Sequence, residues 1–298
     1  MDYLYIFILI LLYTGQSFFC KLYTEKYPGD ADATTPVFSV VSGFITAASA
    51  FVFALCTGFH WNWQIVVMGL VNSVILAVYN FSMVKASERG PYSIQMTMML
   101  SGGIILPALL SYVYGKGLEP LGWLFVAVIA ASILLVSKKK GESMFAGGLQ
   151  FWIFCIALFV FNGFYGAMMA HQSQYAVTTF SKNEMIICTF GFSGLINAFL
   201  GFYHRKNKFL RDFKQSKVSL ISLLLSSGFT AAAVILLTIL INGGMNTDIL
   251  FTFDNAGVLL FSVLFSFVVF KEKLSWINLA GCATMAFGLV GIVFWGGA

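Results

Sequence analysis

The residues best able to do chemistry are Asp254 and Asn255, which lie inside an apolar stretch, 249–270, long enough to cross a bilayer. A carboxylate in hydrocarbon costs about 3 kcal/mol even on the scales derived from membrane insertion. Such a group needs water, a proton or a partner of opposite charge, and we expect no Lys or Arg at its depth. We therefore predict that Asp254 faces a water-filled central cavity, where it takes up a proton or a cationic group.

Seven further polar residues fall near mid-membrane depth in other apolar stretches and could line the same cavity. They are Asn72, Asn162 and Thr230 at middle or outer depth, and Gln16, Asn80, Gln95 and Thr97 on the inner side. Each also has a structural explanation, because an intramembrane Thr commonly bonds its own backbone and a buried Asn or Gln often joins two helices. Both explanations stay open for all seven.

Other arrangements that could carry chemistry are weaker. Gly191-Phe192-Ser193-Gly194 matches a motif of intramembrane serine proteases, but the three histidines fall at membrane ends or in loops, so Ser193 has no general base in reach. The five cysteines are scattered one to an apolar stretch, without metal spacing. We expect a protein that is not an enzyme and that uses no cofactor.

The composition indicates which elements position these residues. The chain has 298 residues, of which 59% are hydrophobic and 10% charged, whereas soluble proteins have about 25% charged residues. This excludes a soluble protein and predicts an all-α integral membrane fold in a lipid bilayer. Apolar runs of about 20 residues each predict a transmembrane helix. Ten are present: 3–23, 35–57, 63–84, 92–115, 120–137, 149–170, 183–203, 218–241, 249–270 and 276–296.

Basic residues predict the orientation of these spans. Fifteen of the 17 Lys and Arg residues fall in alternate loops, and only Lys116 and Lys182 fall in the others. Cytoplasmic loops are enriched in Lys and Arg, so we predict a plasma-membrane protein with both termini outside the cytoplasm. The net charge of +5 therefore reflects membrane loops and does not indicate a nucleic-acid partner.

The chain also contains a weak internal repeat. With a shift of 156 residues, 114–136 aligns with 270–292. Near the starts of the halves, with a shift of 148 residues, 13–21 aligns with 161–169, sharing Gly15 and Gly163. The repeat predicts two five-helix units, 1–140 and 149–298, joined by a cytoplasmic linker, 141–148. Because five is odd, the second unit enters the membrane from the opposite face. Inverted repeats of this kind are typical of secondary transporters.

The end of the chain resembles a known family. FKEKLSWINLAGCATMAFGLVGIVFW, 270–295, is similar to the closing signature of EamA-type members of the drug/metabolite transporter superfamily. Glu272, Leu274, Ser275, Gly281 and Gly288 occupy the signature positions. The resemblance implies ten helices in two inverted halves, a small-molecule substrate such as an amino acid, an amine or a drug-like compound, and export as the commoner direction.

We therefore expect a secondary transporter that works by alternating access around a central cavity. Two alternatives remain: an intramembrane enzyme that uses Ser193, and a membrane sensor or assembly subunit that carries no flux. Small residues at helical spacing in the fifth and tenth spans predict close packing, against the bundle or against a second copy in a homodimer. They are Ala127, Ala131, Ala280, Thr284 and Gly288.

Overall fold

Helices are the only regular secondary structure in the part of the chain that the computed structural model of this protein describes. That part comprises 2–59, 61–90, 92–113, 119–137, 148–174, 182–243, 245, 247–268 and 275–295. Over these ranges the structure contains no strand. The prediction of an all-α fold is therefore confirmed.

The long helices follow the predicted spans within a few residues. They are α1 (Asp2–Lys26), α2 (Ala31–Thr57), α3 (Trp63–Arg89), α4 (Tyr92–Val113), α5 (Pro120–Ser137), α6 (Gly148–Gln174) and α7 (Lys182–Arg205). A single 3-10 turn (Lys206–Lys208) and the one-turn helix α8 (Phe209–Asp212) follow α7. The chain continues with α9 (Lys217–Asn242), α10 (Thr247–Val268) and α11 (Trp276–Trp295).

Six of these helices are long and apolar enough to cross a membrane, judged by length and composition over the described residues: α1, α2, α3, α6, α7 and α9. The other four long helices carry shorter described apolar stretches, Ile94–Leu110, Pro120–Ser132, Ile249–Ser262 and Leu279–Gly288. Large apolar side chains, among them Phe199 and Trp63, point outward from the bundle. The protein is thus an integral membrane protein with several spanning helices, and the number of ten crossings stays a prediction.

Local sequence signals set several helix ends. The Asn62 side chain accepts a hydrogen bond from the backbone N–H of Gln64 at 3.0 Å, and Ser216 Oγ accepts one from Ser219 at 3.2 Å. Both are N-caps that satisfy a backbone donor which the helix leaves free. Pro120 opens α5, where its missing N–H does no harm. Gly58 ends α2 with a φ of 106°, a conformation that favours glycine.

The long helices pack in pairs that are distant in sequence. α1 lies against α9 and α10, α3 against α6 and α7, and α4 against α6 and α10. α2 packs on α7 and α9, and α5 packs on α11. The first helix of each predicted unit therefore contacts mainly helices of the other unit. A cavity at the centre of this arrangement receives side chains from both parts of the chain.

Glycines bring two of these pairs into backbone contact. A Cβ added to Gly102 on α4 would lie 1.8 Å from the carbonyl oxygen of Phe159 on α6, and one added to Gly43 on α2 would lie 2.8 Å from that of Phe190 on α7. Within the α5–α11 pair, a Cβ on Gly288 would lie 2.6 Å from Ile129. Packing within a single chain therefore explains why a small residue stands at position 288. The homodimer stays a prediction.

Some predictions fall on residues that the structure does not describe. The linker 141–148 lies outside the described residues except for Gly148, and so do Glu272 and Leu274 of the closing signature. The backbone of Thr97 belongs to α4, but its side chain is also outside the described set.

Candidate functional site

A cavity lies at the centre of the bundle, between α1, α2, α3, α4, α6, α7, α9 and α10. Its walls combine polar groups with an apolar surface formed by Phe38, Leu76, Phe190, Leu237 and Phe251. The polar lining residues are Tyr13, Gln16, Ser17, Ser42, Tyr79, Asn80, Asn162, Tyr165, Thr230, Asp254 and Asn255. Among the described lining residues there is no Lys, Arg or His, so Asp254 is the only lining side chain that ordinarily carries a charge.

Asp254 lies two turns inside α10, and only 6% of its surface is exposed. Its Oδ1 atom has no hydrogen-bond partner in the part of the protein that the structure describes. Buried carboxylates are normally paired, because an unpaired charge loses its hydration without compensation. The arrangement can therefore bind a proton or a cation at this carboxyl group.

Two asparagine side chains lie beside one another on the wall of the cavity. Asn162 Nδ2 donates to the backbone carbonyl oxygen of Met99 at 2.8 Å, and Asn255 Nδ2 donates to that of Phe251 at 2.7 Å. A carbonyl oxygen can only accept, so each contact fixes which end of the amide is the nitrogen. Gly103 makes room for both groups, since a Cβ there would lie 2.4 Å from Asn255 Oδ1 and 2.8 Å from Asn162 Nδ2.

Three tyrosines, Tyr13, Tyr79 and Tyr165, belong to the polar lining of the cavity that holds Asp254. The Tyr79 hydroxyl donates to Met99 Sδ at 3.1 Å. Tyr165 packs edge-on against Phe190 with its ring centroid at 6.4 Å, and its hydroxyl has no hydrogen-bond partner among the described residues. The acid thus shares its cavity with several aromatic rings.

The structure brings six of the nine predicted site residues to this cavity: Gln16, Asn80, Asn162, Thr230, Asp254 and Asn255. Thr230 also makes the intrahelical bond expected of an intramembrane Thr, because its hydroxyl donates to the carbonyl oxygen of Ser226 at 2.8 Å. The two explanations given for this residue are therefore compatible.

The other three predicted site residues are not among the residues that line the cavity. Gln95 is buried elsewhere, where its side-chain nitrogen donates to the Met83 carbonyl at 2.9 Å and its oxygen accepts from Ser87 at 2.9 Å. It joins α3 to α4, which is the structural explanation. Asn72 is fully buried away from the cavity, and its amide has no partner within the described residues. The side chain of Thr97 is not described.

The spacing of residues in the sequence contains a signal from which further lining residues, not among the predicted site residues, could have been identified. On α1 the lining positions are Tyr13, Gln16 and Ser17, and on α6 they are Asn162, Tyr165 and Gly166. Both sets follow the spacing i, i+3, i+4, which places residues on one face of a helix. A search for this spacing around each polar residue would have selected Ser17. Ser42 and Gly103 carry no such signal, because serine and glycine are frequent at every helix contact.

A second polar site lies at the end of α7, where Arg205 joins three segments of the chain. Its guanidinium pairs with Asp212 of α8, with Nε as the closest donor and Nη2 at 3.1 Å, and Nη2 also donates to Asp30 before α2 at 2.7 Å. The hydroxyl of Tyr27 donates to the backbone carbonyl oxygen of Asp212 at 2.9 Å. We call these four residues the Arg205 cluster.

Charges in the Arg205 cluster perturb one another. The hydrogen bond from Arg205, and then its positive charge, hold the pKa of Asp30 below its ordinary value. Burial, and then the negative charge of Asp212, raise the pKa of Tyr27 to about 12, so its hydroxyl remains a donor. A neighbouring set of ion pairs joins Lys85 of α3 to Glu88 at 3.1 Å and to Asp32 of α2 at 3.7 Å.

Comparison with solved structures bears on the fold. One crystal structure superposes on 99% of this chain and on 97% of its own, with a TM-score of 0.70 at 14% sequence identity. A likeness at that identity establishes a shared fold and says nothing about function. No family model and no curated protein matches this sequence.

Proposed function

We propose that this protein is a secondary transporter of a small metabolite that moves its substrate through the central cavity by alternating access. The observation that carries the proposal is the carboxylate of Asp254, whose Oδ1 has no hydrogen-bond partner among the described residues, in a cavity lined by eight helices. A buried acid without a partner is expensive in a membrane, and such groups mark substrate or ion pathways. A packing role would not require the carboxylate to stay unpaired.

The pattern of helix contacts supports two inverted five-helix repeats. If α1 to α5 correspond in order to α6, α7, α9, α10 and α11, the contact of α1 with α9 matches that of α6 with α3. The contact of α4 with α6 likewise matches that of α10 with α1, and α3 with α7 matches α9 with α2. The pairs α2–α7 and α5–α11 map onto themselves. This is the pattern of a pseudo-two-fold axis, which inverted transporter repeats possess, and it favours ten crossings and the EamA-type resemblance.

The proposed orientation has both termini outside the cytoplasm in a plasma membrane. It can be tested at Arg211, which is exposed on α8 in a loop rich in basic residues. In a chain whose five cysteines are replaced by alanine, Arg211→Cys should react with an impermeant maleimide in inside-out vesicles but not in intact cells. Reaction in intact cells would reverse the orientation.

Alternating access has a test that needs no known substrate. Leu237 on α9 lines the cavity, whereas Leu223 on the same helix is equally buried and is not part of the lining. In the cysteine-free chain, Leu237→Cys should react with the impermeant cationic reagent MTSET from either side of the membrane, because the cavity opens to each side in turn. The matched variant Leu223→Cys should react from neither side. Reaction of Leu237→Cys from one side only would contradict alternating access.

Flux provides the second test. Asn162→Trp would place an indole where the two asparagine amides meet, so it should block uptake into proteoliposomes while the protein still folds. The substrate is a small molecule such as an amino acid, an amine or a drug-like compound, driven by a gradient, with export as the favoured direction.

The alternatives give different results. A sensor or assembly subunit would bind a ligand without flux. An enzyme that uses Ser193 would lose product formation in Ser193→Ala. In the described part of the chain Ser193 Oγ has no hydrogen-bond partner, whereas a nucleophilic serine needs an adjacent base.

A further inference from the structure

Several side chains of the cavity wall can accept a hydrogen bond from a ligand that donates. The hydroxyls of Thr230 and Tyr79 each have a single hydrogen, and each directs it to a protein acceptor, the Ser226 carbonyl and Met99 Sδ. Asn162 and Asn255 turn their amide nitrogens toward backbone carbonyls. The oxygens of Thr230, Asn162 and Asn255 can therefore still accept a hydrogen bond, and each amide nitrogen keeps one further hydrogen.

The charge of the cavity points the same way. Asp254 lies on its wall with Oδ1 unpartnered among the described residues, and no described lining residue is a Lys, Arg or His that could receive an anion. A carboxylate brought into this cavity would be close to Asp254 and would have no cation to pair with. An ammonium group would gain an ion pair in surroundings of low dielectric.

The remaining walls suit an apolar body that carries the positive charge. Tyr13, Tyr79 and Tyr165 line the same cavity as Asp254, and Phe38 and Phe190 lie on the apolar wall. Cations are attracted to the faces of aromatic rings, and more strongly where water is excluded. The apolar lining residues can remove the rest of the ligand from water.

From these three observations we propose that the cavity binds a small organic cation, an amine with an apolar body and no carboxylate, whose ammonium group pairs with Asp254. The physiological meaning of this ligand rests on the proposed transport function. Its chemical class depends only on the cavity.

A charge series on the unmodified, detergent-purified protein tests the ligand class directly. The probes are 2-phenylethylamine, 2-phenylethanol, phenylalanine and phenylacetate, which share one body, together with butylamine and butanol as a second pair. Binding is measured by calorimetry and by the shift in unfolding temperature. We expect at least one amine to bind about tenfold or more tighter than its alcohol, as for a hydrogen bond to a charged group, and 2-phenylethylamine to bind more tightly than phenylalanine. The proposal is wrong if neither amine exceeds its alcohol, or if phenylalanine binds as tightly as 2-phenylethylamine.

Variants locate the binding site of the amine. Asp254→Asn should remove the preference for the amine over the alcohol, whereas Asp254→Glu should retain part of it. Asp32→Asn is the matched control, because it removes a carboxylate of α2 that pairs with Lys85 outside the cavity, and it should leave the preference unchanged. An Asp254→Asn protein that still prefers the amine contradicts the proposal, and if that variant does not fold, the charge series on the unmodified protein decides.

The experiments distinguish a wrong ligand class from a wrong transport function. Amine binding without uptake into proteoliposomes, and with Leu237→Cys reactive from one side only, would reject transport and keep the ligand class. Two-sided reactivity of Leu237→Cys without any preference for amines would reject the ligand class and keep alternating access.

Discussion

The chain buries two aspartates in opposite ways. Asp254 lies in the central cavity with Oδ1 unpartnered among the described residues, whereas Asp212, whose side chain is 10% exposed, is held by Arg205. A paired carboxylate fixes the position of the segments that carry it, here α7, α8 and the turn before α2. A carboxylate without such a partner does not hold segments together, and it can interact with a ligand that enters the cavity. The comparison separates a group that maintains the fold from one available for function.

The largest effect should come from removing the unpaired charge. Asp254→Asn changes the charge at nearly constant volume, so we expect concentrative uptake of 2-phenylethylamine into proteoliposomes, or its dependence on a proton gradient, to be lost. Folding should be preserved, because the change leaves behind no hydrogen-bond partner of Oδ1 among the described residues. The unfolding temperature should change by no more than about 2 °C, as for a mutation that leaves the core intact.

The matched change in the other region is Asp212→Asn, which should lower the unfolding temperature and spare uptake in the protein that remains folded. If Asp254→Asn accumulates the amine at an unchanged rate and level, Asp254 is only a wetted residue at the rim of the cavity.

The second effect should come from breaking the Arg205 cluster. Arg205→Ala leaves Asp212 mostly buried without its partner, and losing one partner of a buried pair destabilises a protein by about 3 kcal/mol. Unfolding in detergent measures this. Arg211→Ala removes the same charge from the exposed face of α8 and is the control. Equal unfolding curves for the two variants would mean that the cluster contributes nothing beyond its charge.

A smaller change should follow from crowding the two amides of the cavity. In Gly103→Ala the new Cβ would meet Asn255 and Asn162 at less than contact distance, so one amide must move. We expect amine binding to weaken about tenfold, the loss of one hydrogen bond to a charged group.

Gly228 on α9 gives the control for this substitution, because a Cβ there meets nothing within 4 Å. Gly228→Ala should leave binding unchanged and stabilise the helix slightly. Equal affinity in the two glycine variants would show that the amides do not position the ligand.

The smallest effect concerns Asp30, the exposed member of the Arg205 cluster. The folded protein holds its pKa below the ordinary 3.8, so its contribution to stability is present above that pH and is lost as the pH falls further. Asp30→Asn should therefore lower the unfolding temperature slightly at neutral pH, and the difference from the unmodified protein should vanish below the pKa that Asp30 has in the folded protein. A difference that persists there would have to come from something other than the charge of Asp30.

The positions of the helices could be predicted because each depends on a local run of apolar residues. The place of Asp254 in a cavity could be predicted for a similar reason, since a carboxylate inside such a run is improbable without one. The rotation of each helix about its own axis, which decides which of its faces lines the cavity, could not be predicted. Asn72 and Asn80 lie on the same helix, eight residues and about 80° apart at 3.6 residues per turn, and only Asn80 lines the cavity.

The Arg205 cluster was also beyond prediction from the sequence. Arg205 and Asp30 are 175 residues apart, and both lie among polar residues at helix ends, where any charge could be solvated. Only the packing of α2 against α7 brings them together. Long-range pairing of exposed charges leaves no periodic signal in the sequence.

The position of α1 has a consequence for how this protein is made. Its principal neighbours, α9 and α10, begin at Lys217 and Thr247, so the ribosome must add about two hundred residues after the first helix before those neighbours exist. During that time the polar face of α1 that carries Gln16 has none of its final contacts with them. We therefore expect chains truncated after α7 to expose this face and to be recognised by membrane quality control, although most of their helices are complete.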